Sequence, residues 1–442
     1  MAKNIVVLSD GTGQEGGKGH DTNVYKLMRM LEDRTERQIV FYDQGIGTDG
    51  RTVTGNVAGA GFSENILQCY HFIYENYNAG DKIYLLGFSR GAATVRSLAN
   101  FIHYFGILPK SRPGLIQEAY DIYKMGRAEG TGEPEEMPEM PLLAGASQIA
   151  NAVSETISRG ETLNEKAKQF VHAHPNQWAS IEFLGVWDTV PALGFPAAVI
   201  DTFINFVPSW KHRYHDFRLH PSVKNAYQAL SIDDDRKWFQ PTIWDDYNEK
   251  YQKVEQVWFS GAHTDIGGGF YEAGLSDIAL EWMVQKAVSH GIKLYMRSIK
   301  YWNFCIAPDA TDDVHPPRKG AGRIYPYQQR LWPASAKEKF GVPTIHQSVL
   351  DRAERLPDYQ PWILKAFPEC NVEPWVETFE YEGTEMSIRD YDEATNADTF
   401  VLTGETVKIL KPENYYDNLL TRGSWGSERI KRDLKRWRKY QR

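Results

Sequence analysis

DKIYLLGFSRGAATVRSLAN, residues 81–100, changes its hydrophobic period half-way along. Ile83, Tyr84, Leu85 and Leu86 form a short unbroken apolar run, as a strand buried on both faces requires. Beyond Gly87-Phe88-Ser89-Arg90-Gly91, the apolar positions Ala92, Ala93, Val95, Leu98 and Ala99 recur at helical spacing. Strand, Gly-x-Ser-x-Gly, helix is the order of a nucleophile elbow, in which a serine sits on a sharp strand-to-helix turn. Gly87 and Gly91 give that turn room. The helix that follows directs backbone N–H groups and its positive end at a developing oxyanion. The five-residue pattern alone is common in loops, where it merely packs a helix on a sheet. Its place between strand and helix makes Ser89 a candidate nucleophile.

Outward from the elbow the same alternation continues. Asn4 to Ser9 (NIVVLS) reads as a buried strand ending in Asp10-Gly11-Thr12-Gly13. Glycine-rich loops at the C-terminal ends of parallel strands are where α/β sheets hold ligands. In hydrolases they also supply the second oxyanion donor, so Gly11 and Thr12 join Arg90 as candidate oxyanion residues. The loop matches neither G-x-x-x-x-G-K-[ST] nor G-x-G-x-x-G, which argues against a phosphate cradle. Asn23 to Leu31 and Ile66 to Tyr77 read as helices, and Gln38 to Tyr42, Ser180 to Trp187 and Val254 to Ser260 as strands. The expected fold is α/β: an α/β-hydrolase-like, mostly parallel sheet flanked by helices, with right-handed crossovers. Residues 1–108 and 180–365 make its core, 109–179 a helical cap insertion around the Pro-, Gly- and Glu-rich stretch 129–140, and 366–442 a C-terminal extension. Asn225 to Phe239 reads as a helix with a charged run, Asp233 to Lys237, on a solvated face or in an ion-pair cluster. Ser348 reads as the cap of a later helix.

A serine hydroxyl needs a base to take its proton and an acid to orient that base. Two loops at the ends of later strands offer them. Asp188 closes the strand 180–187, and His263 follows the strand 254–260 inside Gly261-Ala262-His263-Thr264-Asp265-Ile266-Gly267-Gly268-Gly269. Ser89, Asp188 and His263 are the preferred catalytic set. Asp265 and His346 are the alternative acid and base; they keep the Ser…Asp…His order, but no clear strand precedes His346. The apolar stretch 191–210 holds Phe195, Phe203 and Phe206, candidate substrate-binding residues of an acyl groove or a membrane-touching surface. Its plainer reading is a buried helix of the cap. Asp10, Asp188, His263 and Asp265 would suit a hard cation in a metal-dependent phosphoesterase, a reading that leaves the serine elbow unexplained.

With 442 residues the chain can bury a full core and carry insertions. A formal net charge of −8 gives no nucleic-acid footprint. Cys69, Cys305 and Cys370 stand apart without a C-x-x-C pair, which argues against a disulfide framework and a zinc site, and no cofactor is expected. Too few apolar residues precede Asp10 for a signal peptide, and no run reaches the length of a membrane span. Cytoplasmic synthesis is expected, with signal-peptide-independent secretion left open. The basic tail 428–442 (ERIKRDLKRWRKYQR) reads as a solvated or partner-binding helix, or as an aid to membrane contact.

Taken together, Asp10-Gly11-Thr12-Gly13, Thr22-Asn23-Val24, Gly45-Ile46-Gly47-Thr48, Gly80-Asp81 through GFSRGA, VWDTV (186–190), Ala229 to Trp244, GAHTDIGGG (261–269) and Ile345 to Val349 with Arg352 resemble one family. It is the group of α/β-hydrolases that includes the phospholipase effectors of bacterial type VI secretion. The resemblance covers most of residues 1–360. It implies an ester hydrolase of phospholipid or another acyl ester, with a Ser-Asp-His triad carried onto Ser89, Asp188 and His263. A catalytically inactive hydrolase-fold protein serving binding or assembly is the rival, and it has no physical need of all three side chains.

Overall fold

The computed structural model describes residues 2–11, 20–45, 55–125, 163–190, 217–245, 250–294 and 306–389, with the backbone of short strands at 399–402 and 405–408. Eight strands form one sheet: β1 (Asn4–Ser9), β2 (Gln38–Asp43), β3 (Lys82–Phe88), β4 (Ile181–Trp187), β5 (Asn225–Ser231), β6 (Lys253–Phe259), β7 (Thr344–His346) and β8 (Asn371–Glu373). Their order is β2-β1-β3-β4-β5-β6-β7-β8, and every neighbouring pair is parallel.

Parallel strands are covered on both faces, so their residues must be apolar on both. In β1, Ile5 and Val7 face one layer while Val6 and Leu8 face the other, and all four are fully buried. At about 1.5–3 kcal/mol for each buried aliphatic side chain, this one strand contributes roughly 6–12 kcal/mol before chain entropy is charged against it. The first layer holds α2 (Gly55–Asn76), α3 (Arg90–Phe105), α4 (Gly114–Met125) and α5 (Leu163–Ala173). The second holds α1 (Asn23–Met30) and a helix at Gly274–Ser289. A third cluster, around Trp258, Ile345 and Ile363, closes the far edge.

Four local expectations change. Asn225 to Ser231 is strand β5, not a helix; its NAYQALS sequence has helical propensity, but six of its seven residues are buried between β4 and β6. His346 does end a strand, the three-residue β7, too short to show a period. The helix that follows (Gln347–Arg355) is capped by His346, whose side chain accepts from the Ser348 N–H, and not by Ser348. Asn371–Glu373 extends the sheet from within the stretch read as a C-terminal extension.

Strand order reverses at β1: β2 lies on one side and β3 on the other. Such a switch point opens a crevice at the carboxyl ends of the two central strands. The ends of β1 and β3 are in register there, Ser9 beside Gly87, and that is where the elbow turns.

Candidate active site

The elbow is tight enough to explain its spelling. Ser89 has φ 58°, a left-handed conformation that costs a non-glycine residue about 1–3 kcal/mol and persists only where its surroundings enforce it. A Cβ on Gly91 would lie 2.0 Å from the Ser9 carbonyl oxygen, and one on Gly87 would lie 2.5 Å from the Gly91 oxygen. Both are backbone atoms that cannot step aside. Gly91→Ala is therefore expected to destabilise by about 3 kcal/mol or more and to remove activity with the fold. Gly114→Ala, whose Cβ meets nothing within 4 Å, should be neutral or slightly stabilising in the same thermal-unfolding measurement.

His263 begins a short helix, α6 (His263–Gly267), just beyond β6. Its Nε2 is 2.8 Å from Ser89 Oγ and its Nδ1 2.6 Å from Asp188 Oδ2. With a carboxylate facing Nδ1, the neutral ring carries its proton there, leaving Nε2 to accept from the Ser89 hydroxyl. Phe88 and Phe239 wall the ring, with centroids 4.8 and 5.1 Å away. The glycines beside His263 have a reason in this wall: a Cβ on Gly267 would fall 2.0 Å from the Phe88 ring. Asp234 accepts from the His263 backbone N–H at 3.2 Å, so the charged run serves as an ion-pair cluster that holds His263, with Arg236 paired to Asp234 at 2.5 Å. Asn23 ties the turn from the other side, donating to the Ile266 and Ser276 carbonyls.

Asp188 also has a left-handed φ, 43°, and is fully buried. The sequence reading missed its principal partner. Arg330, itself 1% exposed, donates to Asp188 Oδ1 at 2.6 Å and Oδ2 at 2.8 Å, and also to the Ser231 and Phe239 carbonyls. The Ser231 N–H is a second donor to Oδ1 at 3.0 Å. Burial alone would raise this carboxyl, but the Arg330 charge and bonds, with His263, hold it well below the usual carboxylate range. Arg330 lies in the stretch Tyr325 to Trp332 (YPYQQRLW), with no strand or glycine cluster to mark it.

The other candidates sit elsewhere. Asp265 accepts from the Ala262 N–H and from His315, whose Nδ1 is 2.6 Å away. His346 is buried against Phe259, bonded to Ser348, and pushed down to about 3 by burial, with Lys286 adding to the shift. The structure thus does not bring Asp265 and His346 to Ser89. Gly11 does lie beside the elbow, yet its N–H donates to Asp10 Oδ1 at 2.7 Å. Asp10 in turn is pushed up to about 6 by burial, against the Thr22 and Tyr42 bonds. Of the four groups offered to a cation, Asp188 and His263 bond each other, while Asp10 and Asp265 are held by other partners. Thr12, the apolar stretch with Phe195, Phe203 and Phe206, and the tail 428–442 lie outside the described residues. A cavity of about 840 Å³, lined by residues including His103, Lys168 and Trp178, opens at the other end of α3, roughly 20 Å from Ser89 along the helix.

The sequence profile described as "T6SS, Phospholipase effector Tle1-like, catalytic domain" matches residues 3–286. The chain belongs to this family. The family takes its name from the catalytic domain of phospholipase effectors of type VI secretion, which are hydrolases of lipid esters. The match takes in Ser89, Asp188 and His263 and stops before Arg330. YEL023C, an uncharacterised protein of Saccharomyces cerevisiae, is 28% identical over 209 residues, 43% of this chain and 27% of that protein. The match therefore spans about a quarter of that relative's length. Two solved structures are 17% identical. One is an uncharacterised Pseudomonas aeruginosa protein, with TM-score 0.35 over 66% of this chain and 46% of that one. The other is the Tle1 effector bound to the VgrG spike of the type 6 secretion system, with TM-score 0.31 over 61% of this chain and 51% of that one. The fold stands on its own strand order, independently of these likenesses.

Proposed function

We propose that this member of the Tle1-like family is a serine ester hydrolase acting on phospholipid or a related acyl ester, with Ser89 as nucleophile, His263 as base and Asp188 as the orienting acid. The observation that carries the reading is a single imidazole bonded on one nitrogen to Ser89 Oγ and on the other to Asp188. Ser89 Oγ attacks the acyl carbonyl carbon and gives its proton to Nε2, while Asp188 keeps the ring oriented and stabilises the imidazolium. The oxyanion would accept from the Arg90 backbone N–H at the start of α3, with the Gly11–Thr12 loop as a second donor once Gly11 releases Asp10. Collapse breaks the ester C–O bond, and the leaving alcohol takes the proton from His263. Water, deprotonated by His263, then attacks the acyl-enzyme to release the acid and restore Ser89.

A fluorophosphonate should label Ser89 and stop turnover of p-nitrophenyl esters, and EDTA should leave that turnover unchanged. Activity that needs a metal and survives the probe would overturn the reading in favour of phosphoesterase chemistry.

A further inference from the structure

Two loops form a paired ribbon beside the catalytic pair. Arg236 bridges Tyr327 in antiparallel fashion, Lys237 N–H donates to the Pro326 carbonyl at 2.9 Å, and Gln328 N–H to the Asp235 carbonyl at 2.8 Å. The inner side of the ribbon touches the chemistry: Phe239 walls His263, and Arg330 clamps Asp188. The same two loops also expose large apolar side chains. Tyr327 is 59% exposed, Leu331 62% and Trp238 37%, among the most exposed large apolar side chains described. Trp238 is held edge-on to Tyr325, with centroids 5.6 Å apart, so this aromatic surface is anchored rather than loose.

Charge in the same loops runs against the rest of the chain. Residues 235–240 and 318–331 carry Arg236, Lys237, Arg318, Lys319, Arg323 and Arg330 against a single carboxylate, Asp235, in a protein of net charge −8. Arg236, Arg318 and Arg330 face Asp234, Asp235 and Asp188. Lys237, Lys319 and Arg323 are exposed in the same two loops. Aromatic and aliphatic side chains rimmed by lysine and arginine suit a lipid–water interface, where rings sit at headgroup level and cations meet anionic headgroups.

We propose that loops 235–240 and 318–331 form a collar that docks the mouth of the active site onto an anionic phospholipid bilayer. The collar would set Tyr327, Leu331 and Trp238 into the headgroup layer and present the acyl ester to Ser89 without the lipid leaving the membrane. This inference rests on the hydrolase reading for its purpose, but binding can be measured without turnover.

The test uses full-length Ser89→Ala protein in flotation with vesicles of pure phosphatidylcholine and of equal parts phosphatidylcholine and phosphatidylglycerol. Adding Tyr327→Ser and Leu331→Ser should weaken binding to the mixed vesicles by about tenfold or more, from lost apolar burial. Adding Lys237→Glu, Lys319→Glu and Arg323→Glu instead should abolish the preference for the anionic vesicles, each cation being worth about fivefold near such a surface. In the Ser89 protein, both sets should keep turnover of a soluble short-chain p-nitrophenyl ester within about twofold while losing hydrolysis of the mixed vesicles. Unchanged flotation with either set overturns the collar. So does a parallel loss on the soluble ester, which would make these loops a support for Asp188 and His263 and nothing more. Failure of the parent protein to turn over any ester would sink the hydrolase reading, while the flotation result would still decide the docking surface.

Discussion

Ser89→Ala should lower ester turnover by about ten-thousand-fold or more and leave a folded protein. Alanine keeps the Cβ of serine, so the left-handed turn at φ 58° is no more strained than before. What is lost is one hydroxyl and its 2.8 Å bond to His263 Nε2, a change of about 1 kcal/mol in stability. The expected loss in rate is larger because no other group could take the place of the proposed nucleophile: His263 accepts from Ser89 alone on that nitrogen among the described residues. His263→Ala should be as severe, and the double variant no worse than either, since members of such a unit fail together. Initial rates on a p-nitrophenyl ester, with a thermal-unfolding curve for each protein, make the comparison. A folded Ser89→Ala protein working near the parent rate would end the serine mechanism.

The sequence made the central crevice legible because parallel strands announce themselves. NIVVLS, KIYLLGF and IEFLGVW are apolar on both faces, and each is followed by a loop in which a glycine or an acidic residue breaks the run. Ser89 and Asp188 could be placed by that pattern since each follows a strand directly, and His263 since it stands in the glycine-rich loop four residues after β6. β5 was illegible for the opposite reason: alanine, glutamine and leucine are helix formers, and only flanking strands make NAYQALS extended. His346 was obscured by a strand of three residues, too short for any period. Arg330 was harder still. Its partner Asp188 lies 142 residues earlier, and no local period encodes a contact of that kind. Buried ion pairs made across the chain are properties of the assembled fold, so the charge that fixes Asp188 appears only once β4, β5 and the 325–332 loop are together.

Asp188→Asn should cut turnover by at least about a hundredfold, and the reason lies as much in Arg330 as in His263. An aspartate has two acceptor oxygens, and here Oδ2 faces His263 Nδ1 and an Arg330 N–H, while Oδ1 faces the other Arg330 N–H and the Ser231 N–H. An asparagine NH2 must occupy one of these places. In either flip it meets donors, so the amide cannot hold His263 and Arg330 together. Removing the carboxylate also leaves a buried guanidinium without its counter-charge, a defect of about 3–5 kcal/mol, so the variant should melt earlier than Ser89→Ala. Arg330→Gln probes the same pair from the other side. With the cation gone, burial moves the Asp188 carboxyl back up, which extends its inactive protonated form to higher pH, so the acid limb of kcat/KM should move up. Arg330→Lys, which keeps the charge and loses the fork, should move it less. Asp265→Asn and His346→Ala serve as controls, since neither side chain contacts Ser89 or the His263 ring among the described partners; they should reduce stability more than turnover. If those two variants lose activity in step with Ser89→Ala while Asp188→Asn and Arg330→Gln keep both rate and pH profile, the acid and base have been assigned to the wrong side chains.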